Sequence, residues 1–158
     1  MLELGVHTQK GLWFPTVSDK GTLFFGAYLD SIGNYGKSDL YYYSLKDHSA
    51  AIINLGNVIN STSEEWDPFI APDESYLLFE SDRPGGYGGT DIYITFNRDS
   101  SWSQPVNLGS SINTKGYEVA ARVSPDGKFL FFDRPQKNEQ DIYWVSSDII
   151  ERLKSQNP

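Results

Sequence analysis

The densest group of side chains able to do chemistry is "SEEWDPF", Ser63 to Phe69, which places Glu64, Glu65 and Asp67 within four residues. Two carboxyl groups are the equipment of glycoside hydrolysis, one giving a proton while the other acts as base or nucleophile. Glu118 and Arg122 follow in "EVAARV", and a lone cation beside Glu118 is expected to pair with it. His7 and His48 are the only histidines, and a metal held by two such separated residues would need carboxylates to join them. No G-x-S-x-G elbow is present for serine chemistry. No metal, no cofactor and no catalytic role are therefore expected, and Glu65, Asp67, Glu118 and Arg122 are read as a binding surface.

The stretch "SDRPGGYGGTDIY", Ser81 to Tyr93, poses a sharper question, because four glycines fall within five residues. A dinucleotide loop needs a third glycine where Asp91 stands, and a P-loop needs a lysine before Thr90, where Gly89 stands. The segment that follows, "DIYITF", is β-branched and aromatic, so no helix N-terminus awaits a phosphate. A calcium loop would alternate oxygen ligands, and this one does not. The reading that remains is a connection between strands in which glycine supplies positive φ. Its closing aspartate, with Asp39 and Asp141 at matching places elsewhere, is expected to accept hydrogen bonds from turn amides. Arg83 and Tyr87 in the loop, and Trp102 in "SSWSQ", are further candidates, since exposed aromatics grip protein partners or sugars.

These residues must be positioned by something, and the chain repeats itself. "FPTVSDKGTLFF" (14–25), "DPFIAPDESYLLF" (67–79) and "AARVSPDGKFLFF" (120–132) are three versions of one segment. "DLYYY", "DIYIT" and "DIYWV" follow in turn, and "INLGNVIN" (53–60) recurs as "VNLGSSIN" (106–113). All three markers share a period of a little over 50 residues, enough for about four short strands, the size of one propeller blade. The predicted units are 11–64, 65–117 and 118–146, with an outer-strand segment at 2–8 and a helix over 147–154 capped by Ser147 or Asp148. That helix is expected to lie across the last blade and cover its edge.

Composition narrows the partners. Among 158 residues, 21 are acidic and 13 basic, giving a formal net charge of −8, so a nucleic-acid backbone or an anionic membrane surface would be repelled. There is no cysteine, hence no disulfide or thiolate site. No apolar run approaches a membrane span, and "MLELGVHTQKG" lacks the basic start and apolar stretch of a signal peptide. Two readings follow: the protein stays inside the cell, or the chain shown has lost a leader.

"SPDGKFLFF", "SDRPGGYGGTDIY" and "WSQPVNLGSSINT" together resemble the TolB-type, WD40-like β-propeller repeat, and the resemblance covers nearly the whole chain. The first repeat departs from it, lacking the proline of "SPDG" and the "RPGG" run. The resemblance implies an all-β propeller, periplasmic or exported, with a protein-interaction role. A carbohydrate-binding or glycoside-processing propeller and a purely architectural half-propeller are the alternatives.

Three blades cannot close a ring, because closure takes four to eight. Blade three has no evident fourth strand, whereas "LELGVHT" (2–8) resembles "INLGNVIN". Two copies exchanging Leu2–Gly5 would give a homodimeric six-bladed ring with two-fold symmetry. The competing expectation is that the chain is the C-terminal piece of a longer propeller.

Overall fold

The structure, a computed structural model, describes residues 11–47, 49–99, 101–136 and 139–157. The 2–8 segment, His7 and His48 lie outside the described residues. Blade one is an antiparallel sheet of β1 (Leu12–Val17), β2 (Thr22–Ala27), β3 (Asp39–Ser44) and β4 (Ile53–Asn54). Blade two comprises β5 (Glu65–Ile70), β6 (Tyr76–Ser81), β7 (Asp91–Arg98), β8 (Ser101–Trp102) and β9 (Val106–Asn107). Here the polar stretch after β7 forms β8 on the end of β7, while β9 takes the place that β4 has in blade one. Blade three holds β10 (Val119–Val123), β11 (Phe129–Gln136) and β12 (Glu139–Ser146). Blade three shows three strands among the described residues, matching the lack of an evident fourth strand in its sequence.

Each inner strand breaks step at the same repeat position. The register of β1 on β2 slips between Trp13 and Thr16, that of β5 on β6 between Trp66 and Phe69, and that of β10 on β11 between Val119 and Arg122. At each slip one non-glycine residue takes a left-handed backbone, Phe14 at φ 50°, Asp67 at 45° and Ala120 at 59°. A bulge of this kind bends a strand and re-aims its side chains. Pro15 and Pro68 sit beside two of the slips, where the ladder has no use for their missing N–H.

Blades stack face to face. Phe24 and Leu40 of blade one meet Leu77, Phe79 and Tyr93 of blade two, and Leu78, Ile92 and Ile94 on the other face of blade two meet Leu130 and Phe132 of blade three. β6 is therefore buried on both faces, as its unbroken apolar run predicts. Between β11 residues Phe129 and Phe132 burial alternates instead, because blade three is covered on one side only. The helix α1 (Asp148–Gln156) buries Ile149 and Ile150 in the core between blades two and three. It leaves Ile142 and Trp144 of β12 exposed, contrary to the expectation that it covers the last blade. Ser147 precedes the helix without capping it; its hydroxyl donates to the Gly127 carbonyl.

The glycine loops seal one blade against the next. A Cβ on Gly36 would lie 1.8 Å from the Ser63 carbonyl oxygen, and one on Gly88 would lie 2.3 Å from that of Thr114. Only glycine lets these backbones approach so closely.

Candidate functional site

The carboxylates that the sequence singles out lead to different places. Glu65 and Glu118 open the inner strands of blades two and three and are fully buried. Glu65 accepts from the Ser61 amide at 3.0 Å, the Ser61 hydroxyl, the Ser81 hydroxyl at 3.0 Å and Arg83 Nη2 at 3.0 Å. Glu118 accepts from the Thr114 amide at 2.8 Å, the Thr114 hydroxyl and Arg134 Nε at 3.0 Å. Each arginine also donates at 2.6 Å to a carbonyl of the preceding blade, Ile59 for Arg83 and Ile112 for Arg134. Each guanidinium lies over a stacked Phe–Tyr pair, Phe79 with Tyr93 and Phe132 with Tyr143. These buried, hydrogen-bonded ion pairs clamp the end of one blade to the start of the next. Blade one has Leu12 at the glutamate position and so offers no carboxylate there.

Arg122 does not pair with Glu118. The bulge turns it toward blade two, where it donates to the Asp67 carboxylate, while Glu118 is taken by Arg134. Asp67 has a neighbour that sequence reasoning missed, Glu80 near the end of β6. Its carboxyl is buried and accepts from the Ala120 amide, at the bulge of β10. Burial first, then the negative charge of Asp67, pushes the Glu80 carboxyl up to about 9, against the lowering pull of the Ala120 amide and Arg122. The protonated form of Glu80 is therefore favoured beside the Asp67 carboxylate. The only signal in the sequence was a charged residue inside an apolar run, "YLLFES".

Asp67, Glu80, Arg122 and the Ala120 amide form one unit across β5, β6 and β10. Both carboxyls are engaged within the unit, Asp67 by Arg122 and Glu80 by the Ala120 amide. Arg122 is the most accessible member, with 37% of its side chain exposed.

An open cleft of about 370 Å³ lies between blades one and two, lined by Trp13, Tyr28, Lys37, Ser38, Glu64 and Trp66. Lys37 Nζ is 3.7 Å from Glu64 at its rim. Tyr87, half exposed, stands at the tip of the glycine loop. Trp102 is not at a free tip as its sequence context suggested. It is partly buried with its ring edge-on to Phe24 at 6.4 Å, because β8 folds it back over the seam between blades one and two.

The closing aspartates divide likewise. Asp39 accepts from the Tyr35 amide at 2.8 Å, the Gly36 amide at 3.2 Å and Asn54 Nδ2 at 2.8 Å. Asp91 accepts from the Tyr87 amide and from Asn107 Nδ2 at 2.9 Å. Asp141 is exposed: blade three has neither the glycine loop nor a described strand that brings an asparagine to it.

With the blades and their bulges in view, comparison with known proteins bears on the fold. No protein-family pattern matches the chain, and no curated protein does. Among solved structures, a putative TolB from Agrobacterium tumefaciens superposes with a TM-score of 0.63 at 14% identity, over 89% of this chain and 48% of that one. TolB from Acinetobacter baumannii gives 0.56 at 21% identity, over 85% of this chain and 29% of that one. The fold is that of a TolB-type propeller. The chain spans less than half the length of either TolB. Among the described residues no helix is long and apolar enough to cross a membrane.

Proposed function

We propose that this chain is a non-catalytic propeller module that binds a protein partner through blade three, and that a second copy laid on that blade completes a six-bladed ring. The observation that carries this reading is the open face of blade three. Ile142 and Trp144 are 72% and 62% exposed, with Phe129 and Phe131 beside them, and Trp144 packs edge-on to Phe129 at 5.2 Å. In blade two the same ladder positions are Ile92, Ile94 and Leu78, all fully buried under blade three. Such an apolar face on an otherwise acidic chain is a surface built to be covered. Arg122 and Tyr87 are the predicted site residues best placed to meet a ligand from solvent, and Glu65, Glu118 and Arg83 support them from within. A periplasmic or exported location belongs to this reading through the TolB-type fold. Static light scattering at micromolar concentration tests the ring: a dimer supports it, and a stable monomer would remove the second copy from the proposal.

A glycan is the second reading, favoured by the Trp13–Trp66 cleft, whose ring faces and charged rim suit a sugar. Loss of glycan-array binding in Trp66→Ala would support it, and a blank array with the native chain would end it.

A further inference from the structure

Blades one and two hold their outer strands by one chemical code. In blade one, Asn54 Nδ2 donates to Asp39 at 2.8 Å, and the Leu55 amide donates to the Leu40 carbonyl at 3.0 Å. Gly56 then turns the chain at φ 81°. Asn60 returns to the strand: its Oδ1 accepts from the Leu40 amide at 2.8 Å and its Nδ2 donates to the Leu40 carbonyl at 3.0 Å. Blade two repeats every contact. Asn107 Nδ2 meets Asp91 at 2.9 Å, the Leu108 amide meets the Ile92 carbonyl at 3.1 Å, and Gly109 turns at φ 86°. Asn113 clamps the Ile92 amide and carbonyl, each at 2.9 Å. Ile59 and Ile112 are buried beneath. The shared pattern is Asn-Leu-Gly-x-x-Ile-Asn, residues 54–60 and 107–113.

Blade three presents the receiving half of this arrangement. By ladder position Ile142 corresponds to Leu40 and Ile92, and Tyr143 to Tyr41 and Tyr93. Asp141 stands immediately before Ile142, as Asp39 and Asp91 stand before Leu40 and Ile92. Asp141, Ile142 and Trp144 are all exposed, and among the described residues no strand pairs with the outer edge of β12.

We propose that the outer edge of β12 is a strand-accepting site for a partner protein carrying an exposed Asn-Leu-Gly-x-x-Ile-Asn segment. Its first asparagine bonds Asp141, its last asparagine clamps the amide and carbonyl of Ile142, and its leucine and isoleucine cover the apolar surface of the blade. Main-chain pairing supplies affinity and the two asparagines supply selection, the logic of strand addition to a sheet edge. The proposal rests on reading blade three as the binding blade, and it names the chemistry of what binds there.

The probe is a labelled synthetic peptide with the sequence of residues 52–62, IINLGNVINST, added to the full chain and followed by fluorescence anisotropy and amide hydrogen exchange. Saturable binding with new protection at Ile142–Trp144 is expected. Replacing the last asparagine of the peptide by alanine should weaken binding about tenfold, since the Ile142 amide loses its acceptor and the Ile142 carbonyl loses one of its two donors. Asp141→Ala in the chain, at an exposed position that leaves the fold intact, should weaken it severalfold. No saturable binding, or protection away from β12, would overturn the proposal even if light scattering shows the dimer. An edge already protected in the free chain, in a dimer, would overturn it in favour of a second copy supplying the strand.

Discussion

Arg83 Nη2 lies 3.0 Å from Glu65 Oε1, and in the next blade Arg134 Nε lies 3.0 Å from Glu118 Oε1. The arginines arrive from different ladder positions: Arg83 lies beyond the end of β6, whereas Arg134 lies within β11 opposite Asp141. The chain preserves the clamp rather than the spacing, so blade order depends on it. Removing one partner of a buried pair strands the other charge. Glu65→Ala should cost about 3–5 kcal/mol, read as a lower urea midpoint, and Glu118→Ala should cost a similar amount. Leu12→Ala, at the matching place in blade one, leaves no charge unpaired and should cost less.

Glu80 makes stability depend on pH. Its folded value, about 9, lies above the ordinary 4.5, so between those two pH values the native state holds a proton that the unfolded chain has released. The contribution is complete below about pH 4.5 and is lost as pH rises toward 9. Glu80→Gln keeps an acceptor for the Ala120 amide and a donor for Asp67. The urea midpoint of the variant should fall less than that of the native chain between pH 6 and 9, and an unchanged slope would show that Glu80 is not the group responsible.

Asn60 and Asn113 each close two main-chain bonds on a buried strand residue. Alanine at either position leaves a buried amide without an acceptor, while the carbonyl keeps the bond from the Leu55 or Leu108 amide, at a cost of about 1–3 kcal/mol. Thermal denaturation should show the two variants equally affected, because the two sites are chemically the same.

Gly88→Ala should destabilise by about 1–3 kcal/mol, since the added carbon meets the Thr114 carbonyl at 2.3 Å and backbone must move. Gly116→Ala is the control: its nearest neighbour would be the Thr114 hydroxyl at 3.5 Å, and the change should stay within about 0.5 kcal/mol.

Trp144→Ser should leave the fold intact, because the residue is 62% exposed, while reducing self-association seen by sedimentation. An unchanged association state would place any contact between copies elsewhere.

The repeat, the strand content and the glycine loop's role as a connection were legible in sequence, because a blade's pattern of apolar strands and turn residues is local and is written three times. The matching of Phe14, Asp67 and Ala120 was legible too, though not that all three share a left-handed bulge. What the sequence could not show is which side chains meet across blades. Arg122 finds Asp67 from 55 positions away, Arg134 finds Glu118, and Glu80 becomes a partner of Asp67 inside a strand that read as mostly apolar. Those pairings follow from how a bulge turns an inner strand and how one sheet lies on the next. The exposure of Ile142 and Trp144 has the same origin: their residue types match buried positions in blade two, and only the stacking order leaves blade three with one face uncovered.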